Sequence, residues 1–309
     1  MNLDHVLARR FEPVLQAWDA RDTALYALSL GIGSDPLDEA ELPYVFEGRG
    51  LRTVPSFGVT LGWPAFWQDD PATGIDWVQI LHGEQHVQMH RPLPTQGQVR
   101  ATHRIIAIED KGIGRGALIH FGIELNDPAK EVTNEAATNA VVNEPLASIR
   151  QVRFLRGDGG CGSAGSAPPP CAPLPDGRLA GWLAGWLAEH HIDYRTAPQA
   201  ALLYRLASLD MMPLHADPAV ARQAGYEHPI SHGLNNLGLA CRAVLKQFLP
   251  SRPERLQAMS VRFAQPSFPG ETIRIELRRD GAEVRFSAWA LDRQVLVLDR
   301  GRFLIGDLP

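Results

Sequence analysis

LYRLASLDMMPLHADPAVARQAGYEHPISHGL, residues 203–234, is the most informative stretch of this chain. Asp210 and His215 stand five positions apart, across Met211, Met212, Pro213 and Leu214. Seventeen residues beyond His215 comes His232, followed by Gly233. A carboxylate and an imidazole at a fixed separation can share one water molecule, one taking its proton while the other supplies a proton elsewhere. A glycine amide at the start of a helix can bind a developing oxyanion. Together these are parts for adding water to a polarised double bond, or for removing it.

Outward from this stretch, the segment 157–177, GDGGCGSAGSAPPPCAPLPDG, holds almost nothing but Gly, Pro, Ala, Ser and Cys. With so few side chains able to be buried, it reads as a linker. It divides the chain into an N-terminal half, 1–156, and a C-terminal half, 178–309. The halves show a faint repeat. ALYALSLGIGSDPLDEA (24–40) parallels LLYRLASLDMMPLHADP (202–218), each a short apolar helix containing Tyr, then a turn, then Pro-Leu and a polar residue. RPLPTQGQV (91–99) parallels QPSFPGETI (265–273) in the same way. Asp38 falls opposite His215 and Gly33 lies near the place of Asp210, so the acid/base couple survives in one copy and one active site per chain is expected.

The strands read as antiparallel hairpins. Residues 99–109 alternate towards a turn at Asp110-Lys111-Gly112 and 117–125 return. Residues 272–279 turn at Asp280-Gly281, and 283–291 and 295–305 follow. Period-two alternation bounded by Asp-Gly is an antiparallel signal. Before the second set, 234–248 carries apolar residues at helical spacing. One long helix against a curling antiparallel sheet, used twice, is an α+β architecture.

Composition bounds the function. At 309 residues, with 45% hydrophobic and 21% charged residues, the chain is that of a globular protein large enough for a proper core. A net charge of −5 argues against nucleic acid as a partner. Cys161, Cys171 and Cys241 form no CxxC pair, which disfavours a disulfide framework or a zinc site. MNLDHVLARRFEPVLQAW has no apolar run of signal-peptide or membrane-spanning length, and the chain ends without an SKL-type address, so no membrane association and a cytoplasmic location are expected.

The second half resembles the MaoC-like dehydratase domain, and the whole chain resembles the (R)-specific 2-enoyl-CoA hydratases (hydratase 2). That family's pattern is a Tyr-Arg-Leu segment, then Asp-x-Asn-Pro-Leu-His-x-Asp-Pro, then Pro-Ile-x-His-Gly-Leu. It is matched here at Tyr204, Arg205, Leu206, Asp210, Pro213, Leu214, His215, Asp217, Pro218, Pro229, Ile230, His232, Gly233 and Leu234. YALSLGIG, LHGEQHVQMHRPLP, DKG and RGDGG extend the likeness through the first half. The resemblance implies a tandem, or double, hot-dog fold with an antiparallel sheet wrapped around a central helix in each repeat. The first repeat would be degenerate and bind substrate, and the second would be catalytic. It implies a homodimer, a place in fatty acid β-oxidation, and hydration of a trans-2-enoyl-CoA to the (3R)-3-hydroxyacyl-CoA, or the reverse. No cofactor or metal is implied; the coenzyme A thioester is the substrate.

Residue by residue, the resemblance makes Asp210 and His215 the catalytic pair and Gly233 the oxyanion amide. It places His82, Gly83 and Lys111 at the coenzyme A ester and Phe263, at the start of a strand, at the substrate; Met211, Met212, Pro213 and Leu214 are read as further substrate-binding residues. Met212 stands where the family has Asn, and LASLD lacks the Gly that precedes the family's Asp. Simpler roles compete. Asp210 can cap a turn, His215 can be a bonded core histidine, Lys111 can be a solvated turn lysine, and Glu84 can make a structural hydrogen bond rather than sit beside substrate. Tyr204 and His232 are read as supports, and Asp217 as the cap of a helix over 219–224. His82, His86 and His90, spaced by four along a strand, are read as lying on one face without a metal. Trp182 and Trp186 are read as core or interface residues. Two other functions stay open: a hot-dog acyl-CoA thioesterase and a non-catalytic acyl-CoA-binding subunit.

Overall fold

The computed structural model describes residues 1–130, 145–172 and 188–306. Trp182 and Trp186, and the boundary at 177–178, lie outside them. The described strands are β1 (Val14–Trp18), β2 (Ile80–Met89), β3 (Gly97–Asp110), β4 (Ala117–Asn126), β5 (Ala147–Leu155), β6 (Ala164–Gly165), β7 (His190–Arg195), β8 (Leu256–Phe263), β9 (Thr272–Asp280), β10 (Glu283–Ala290) and β11 (Val295–Ile305). They form one sheet in the order β1-β3-β4-β5-β2-β8-β11-β10-β9-β7, with β6 beside β3. The order is a palindrome about the β2–β8 seam, where Glu84 faces Arg262, His86 faces Ser260 and Gln88 faces Ala258.

The hairpins form where the turn chemistry allows them. Asp280 pairs with Glu283, leaving a two-residue loop whose Gly281 has φ 60°, the left-handed geometry that matches strand twist. Helices α2 (Ala20–Ser29) and α3 (Ala200–Ser208) pack against each other, with the buried Tyr26 and Tyr204 rings 5.9 Å apart. These are the two Tyr-containing segments that the internal repeat paired. α1 (Leu3–Ala8) and α4 (Pro218–Gln223) are short, and Asp217 caps the latter by accepting from the Ala219 amide at 2.7 Å.

The long helix is α5 (Gly233–Phe248), buried without interruption from Leu234 to Leu245. A helix buried on all sides needs apolar or internally paired residues around its whole circumference. Its one buried charge, Arg242, meets Glu41 of the first half through two bonds of 2.6 and 2.8 Å. Among the described residues such a helix occurs once, whereas the sequence reading had it twice. In the first half, the buried segment packed on α5 is a 3₁₀ stretch, Pro55–Thr60. Pro55, Gly58, Gly62 and Pro64 explain this: no ten-residue helix runs through that spacing.

The expected linker is not slack over 157–172. The Gly160 and Gly162 amides donate to the Asp110 carboxylate at 2.8 and 2.9 Å. β6 pairs with β3, Cys171 is buried, and its carbonyl accepts from Arg300 at 3.2 Å. A segment without large side chains is held here by its backbone.

Candidate active site

α3 ends at Ser208, and Leu209 turns the chain through a left-handed conformation, φ 58° and ψ 15°. Asp210 follows in an Asx turn: its amide donates to Ser208 Oγ at 3.2 Å, and its Oδ1 accepts from the Met212 amide at 3.3 Å. Pro213 then starts a single 3₁₀ turn that brings His215 back towards Asp210. His215 Nδ1 lies 2.9 Å from the Ile230 carbonyl. A carbonyl only accepts, so Nδ1 carries the proton and Nε2 is left for the site. His232 Nε2 likewise donates to the Asp210 carbonyl at 3.3 Å. Its ring stacks on His215 with centroids 3.7 Å apart, and Tyr204 backs it at 5.0 Å.

The Asp210 carboxylate and the two imidazoles present atoms within 4.8 Å of one another. A single water making two hydrogen bonds of about 2.8 Å spans such a gap. Burial pushes the His215 pKa below its ordinary value, against the opposing pull of the Asp210 charge and the Ile230 carbonyl. Burial and the neighbouring His215 take His232 down to about 2. Both rings are therefore neutral near pH 7.

Gly233 opens α5 with no side-chain cap on the first turn; the Asn235 amide donates to the His232 carbonyl at 3.0 Å, and the Gly233 amide points to whatever lies before the helix. A Cβ at Gly233 would lie 2.8 Å from the Phe263 ring, so a side chain there would displace one of the two. Phe263 ends β8 rather than starting a strand, as the sequence reading had it, and its ring is 4.5 Å from His82 of β2. The site thus spans the seam between the halves.

A register shift between His82 and Glu84 changes the face of β2. His82 turns inward to Phe263. Glu84 and His86 turn outward, so the expected single face for His82, His86 and His90 is corrected, and of the two roles open to Glu84 the structure shows the hydrogen-bonding one. The bulge is the physical reason, because one extra residue reverses the alternation. Glu84 instead bonds His86 Nε2 at 3.0 Å and accepts from the Cys171 amide at 3.1 Å. Gly83 sits in the bulge, where a Cβ would be 3.1 Å from the Val152 carbonyl. Lys111 lies just past the end of β3, paired with Glu109 at 2.5 Å. Met211 and Pro213 are exposed, and Met212 and Leu214 half-buried, on the loop between Asp210 and His215.

One inward residue escaped the sequence reading. Arg153 of β5 is the register partner of His82 and is only 9% exposed. Its guanidinium donates to Gln151 Oε1 at 3.0 Å and covers the Phe121 ring at 4.9 Å. Burial lowers its pKa to about 10, opposed by the Asp210 charge. His82 is pushed down to about 3 by burial and by Arg153.

Among the described residues, two side-chain clusters have metal-ligand composition, Asp210/His215/His232 and Glu84/His86/Cys171. In the first, the histidine planes are 26° from parallel and stacked; an ion about 2.0 Å from both nitrogens would lie out of each ring plane. In the second, Arg150 Nη2 lies 2.8 Å from the same His86 Nε2 that Glu84 approaches, and burial with the Glu84 charge raises the Cys171 thiol to about 12. Both fit hydrogen-bonded clusters better than metal sites. Two surface clefts of about 200 and 470 Å³ are lined by neither Asp210 nor His215.

Residues 187–297 match the family described as MaoC like domain, and residues 17–143 match the MFE-2 hydratase 2 N-terminal domain. The chain is 32% identical over 304 residues to the peroxisomal enoyl-CoA hydratase 2 of Arabidopsis thaliana, covering 96% of this chain and 93% of that protein. It belongs to the hydratase 2 family of MaoC-like proteins. Another relative, enoyl-CoA hydratase ChsH3 of Mycobacterium tuberculosis, is 32% identical over 314 residues, covering 99% of each chain. A MaoC-like dehydratase from Phytophthora capsici superposes with a TM-score of 0.79 at 28% identity, covering 99% of each chain. A conserved hypothetical M. tuberculosis protein with a double hotdog fold superposes at 0.56 with 15% identity over 99% of this chain and 98% of that one, which speaks for the fold alone. The hydratase 2 family is thus represented across the full described length, both halves included.

Proposed function

We propose that this chain is a hydro-lyase that adds water to trans-2-enoyl-CoA thioesters, or removes it from the 3-hydroxyacyl-CoA, with R specificity. Relatives named enoyl-CoA hydratase 2 and 3-hydroxyacyl-thioester dehydratase support the reaction class. The observation that carries it is the Asp210 carboxylate and His215 imidazole within 4.8 Å of each other, close to the uncapped start of α5.

In this reading, Asp210 and neutral His215 hold one water. The water oxygen bonds to C3 as its proton passes to the pair, and the C2=C3 electrons move to C2 and the thioester oxygen. A proton returned from the pair to C2 on the same face completes a syn addition, with no cofactor consumed. The Gly233 amide faces the enolate-like oxygen, a donor worth on the order of 3–4 kcal/mol. Acid/base catalysis of this type contributes about 10²–10⁴-fold. His82 and Phe263, across the seam, meet the thioester, and Lys111 is the candidate for the phosphates of coenzyme A. A cytoplasmic homodimer belongs to the same reading. No helix among the described residues is long and apolar enough to cross a membrane.

The experiment is incubation with crotonyl-CoA, following enoyl absorbance and free thiol together. Loss of absorbance without thiol release, giving (3R)-hydroxybutyryl-CoA by chiral analysis, is expected. Thiol release would establish a thioesterase, and no turnover with any enoyl-CoA a binding subunit.

A further inference from the structure

The inner face of the first half is unexpectedly polar beside the site. Gln85 of β2 and Gln151 of β5 are register partners and fully buried, one step along the strands from the His82–Arg153 pair. Gln151 accepts from Arg153 through its oxygen, yet its Nε2 is buried and, like the Gln85 Oε1, meets no partner among the described residues. Arg153 makes no ion pair with any described carboxylate, and its guanidinium rests on Phe121. A buried cation without a contacting anion is expensive, as is an unmade amide hydrogen bond. The charge that acts on it is that of Asp210, which the hydration reading itself requires. Donors from Arg153 and Gln151 thus lie together, one strand across from His82. Cross-strand partners stand about 4.5–5.5 Å apart at Cβ, so a group bound there is within a few bonds of a thioester held at His82.

We propose that Arg153, backed by Gln151, receives a carboxylate carried on the acyl group, so that the preferred substrates are enoyl thioesters of short dicarboxylic acids. This rests on the hydration reading for the placement of the thioester. The guanidinium offers two parallel donors of the geometry a carboxylate takes, and the Gln151 amide supplies a third. An aliphatic acyl chain in the same place would leave these groups desolvated and unpaired, which gives discrimination against it.

The test compares glutaconyl-CoA with crotonyl-CoA as substrates of the full chain, and glutaryl-CoA with pentanoyl-CoA as ligands by calorimetry. The parent, Arg153→Met and Arg153→Lys proteins are each checked for folding by circular dichroism. Expected are a higher kcat/KM for glutaconyl-CoA and tighter binding of glutaryl-CoA. Both preferences should fall about thirtyfold or more in R153M and be partly restored in R153K. An equal loss on both substrates in R153M would assign Arg153 to Asp210 and overturn the proposal. So would tighter binding of pentanoyl-CoA by the parent, or failure of both saturated thioesters to bind. Preferential glutaryl-CoA binding without turnover of either enoyl thioester would sink the hydratase reading and leave the carboxylate site standing. If R153M does not fold, the parent's own preference between each pair of ligands decides the matter.

Discussion

Asp210 and His215 are placed by bonds that other atoms make. The Asx turn orients the carboxylate, and the Ile230 carbonyl sets the imidazole tautomer so that Nε2 is the nitrogen without a proton. Asp210→Asn and His215→Gln should therefore each lower kcat for crotonyl-CoA by about 10²–10⁴-fold with an unchanged circular dichroism spectrum; near-parental turnover in both would remove the pair from the mechanism. His232 is the more telling histidine for pH. Its folded value of about 2 lies below the ordinary 6.5, so between these values the unfolded chain holds one more proton than the folded one. Its contribution to stability is complete above pH 6.5 and is lost as pH falls. The slope is about 1.4 kcal/mol per pH unit at most. Urea unfolding at pH 6 and pH 5 should show a His232→Gln variant losing about 1 kcal/mol less than the parent across that interval.

At the scale of elements, the end of α3 carries a local conflict. Leu209 is left-handed and 63% exposed, so it bears the steric cost of that conformation and buries little in return. Left-handed geometry costs an ordinary residue about 1–2 kcal/mol, and glycine's extra chain entropy returns part of that. Leu209→Gly should stabilise the protein by about 0.5–1 kcal/mol, read as a higher urea midpoint. A lower midpoint would mean that the leucine side chain contributes more than its exposure indicates. The register shift in β2 is the second decisive local feature, since it alone separates His82, facing the site, from Glu84 and His86 on the other face.

Across the whole molecule, the halves are joined by more than the β2–β8 seam. Arg242 of α5 reaches Glu41 in the first half, the Leu30 carbonyl at 3.1 Å and the face of Tyr194 at 4.5 Å. Removing one partner of a buried pair strands the other, a cost of about 3–5 kcal/mol. Glu41→Ala should lower the unfolding free energy by that amount, checked by denaturant titration; a change under about 1 kcal/mol would show that solvent reaches Arg242. In the first half, Asp38, which the sequence pattern sets opposite His215, pairs with Lys246 of α5 at 2.6 Å. That position of the first half thus holds the helix of the second.

What could be read from the chain alone was what depends on near neighbours. The Asp280-Gly281 turn, the helical spacing of 234–248, the Asp217 cap and the Asp210–His215 interval each lie within a few residues, and local stereochemistry constrains them. Arg153 was not legible, because nothing in RQVRFL says which face of β5 turns inward or that His82 lies opposite. The Glu41–Arg242 pair spans 201 residues, and the bulge after His82 is set by strand pairing, not by a composition signal. The second long helix was expected from the symmetry of the repeat, but Pro55, Gly58 and Pro64 deny it. Sequence by itself determined the repeated hairpins, the single α5 pattern and the chemical identity of the carboxylate–imidazole couple, since these follow from local backbone preferences. Tertiary structure decided that His82, Phe263 and Arg153 meet across the halves, and which face each residue of β2 presents. Those depend on long-range register, and a shift of one residue reverses every side chain along a strand.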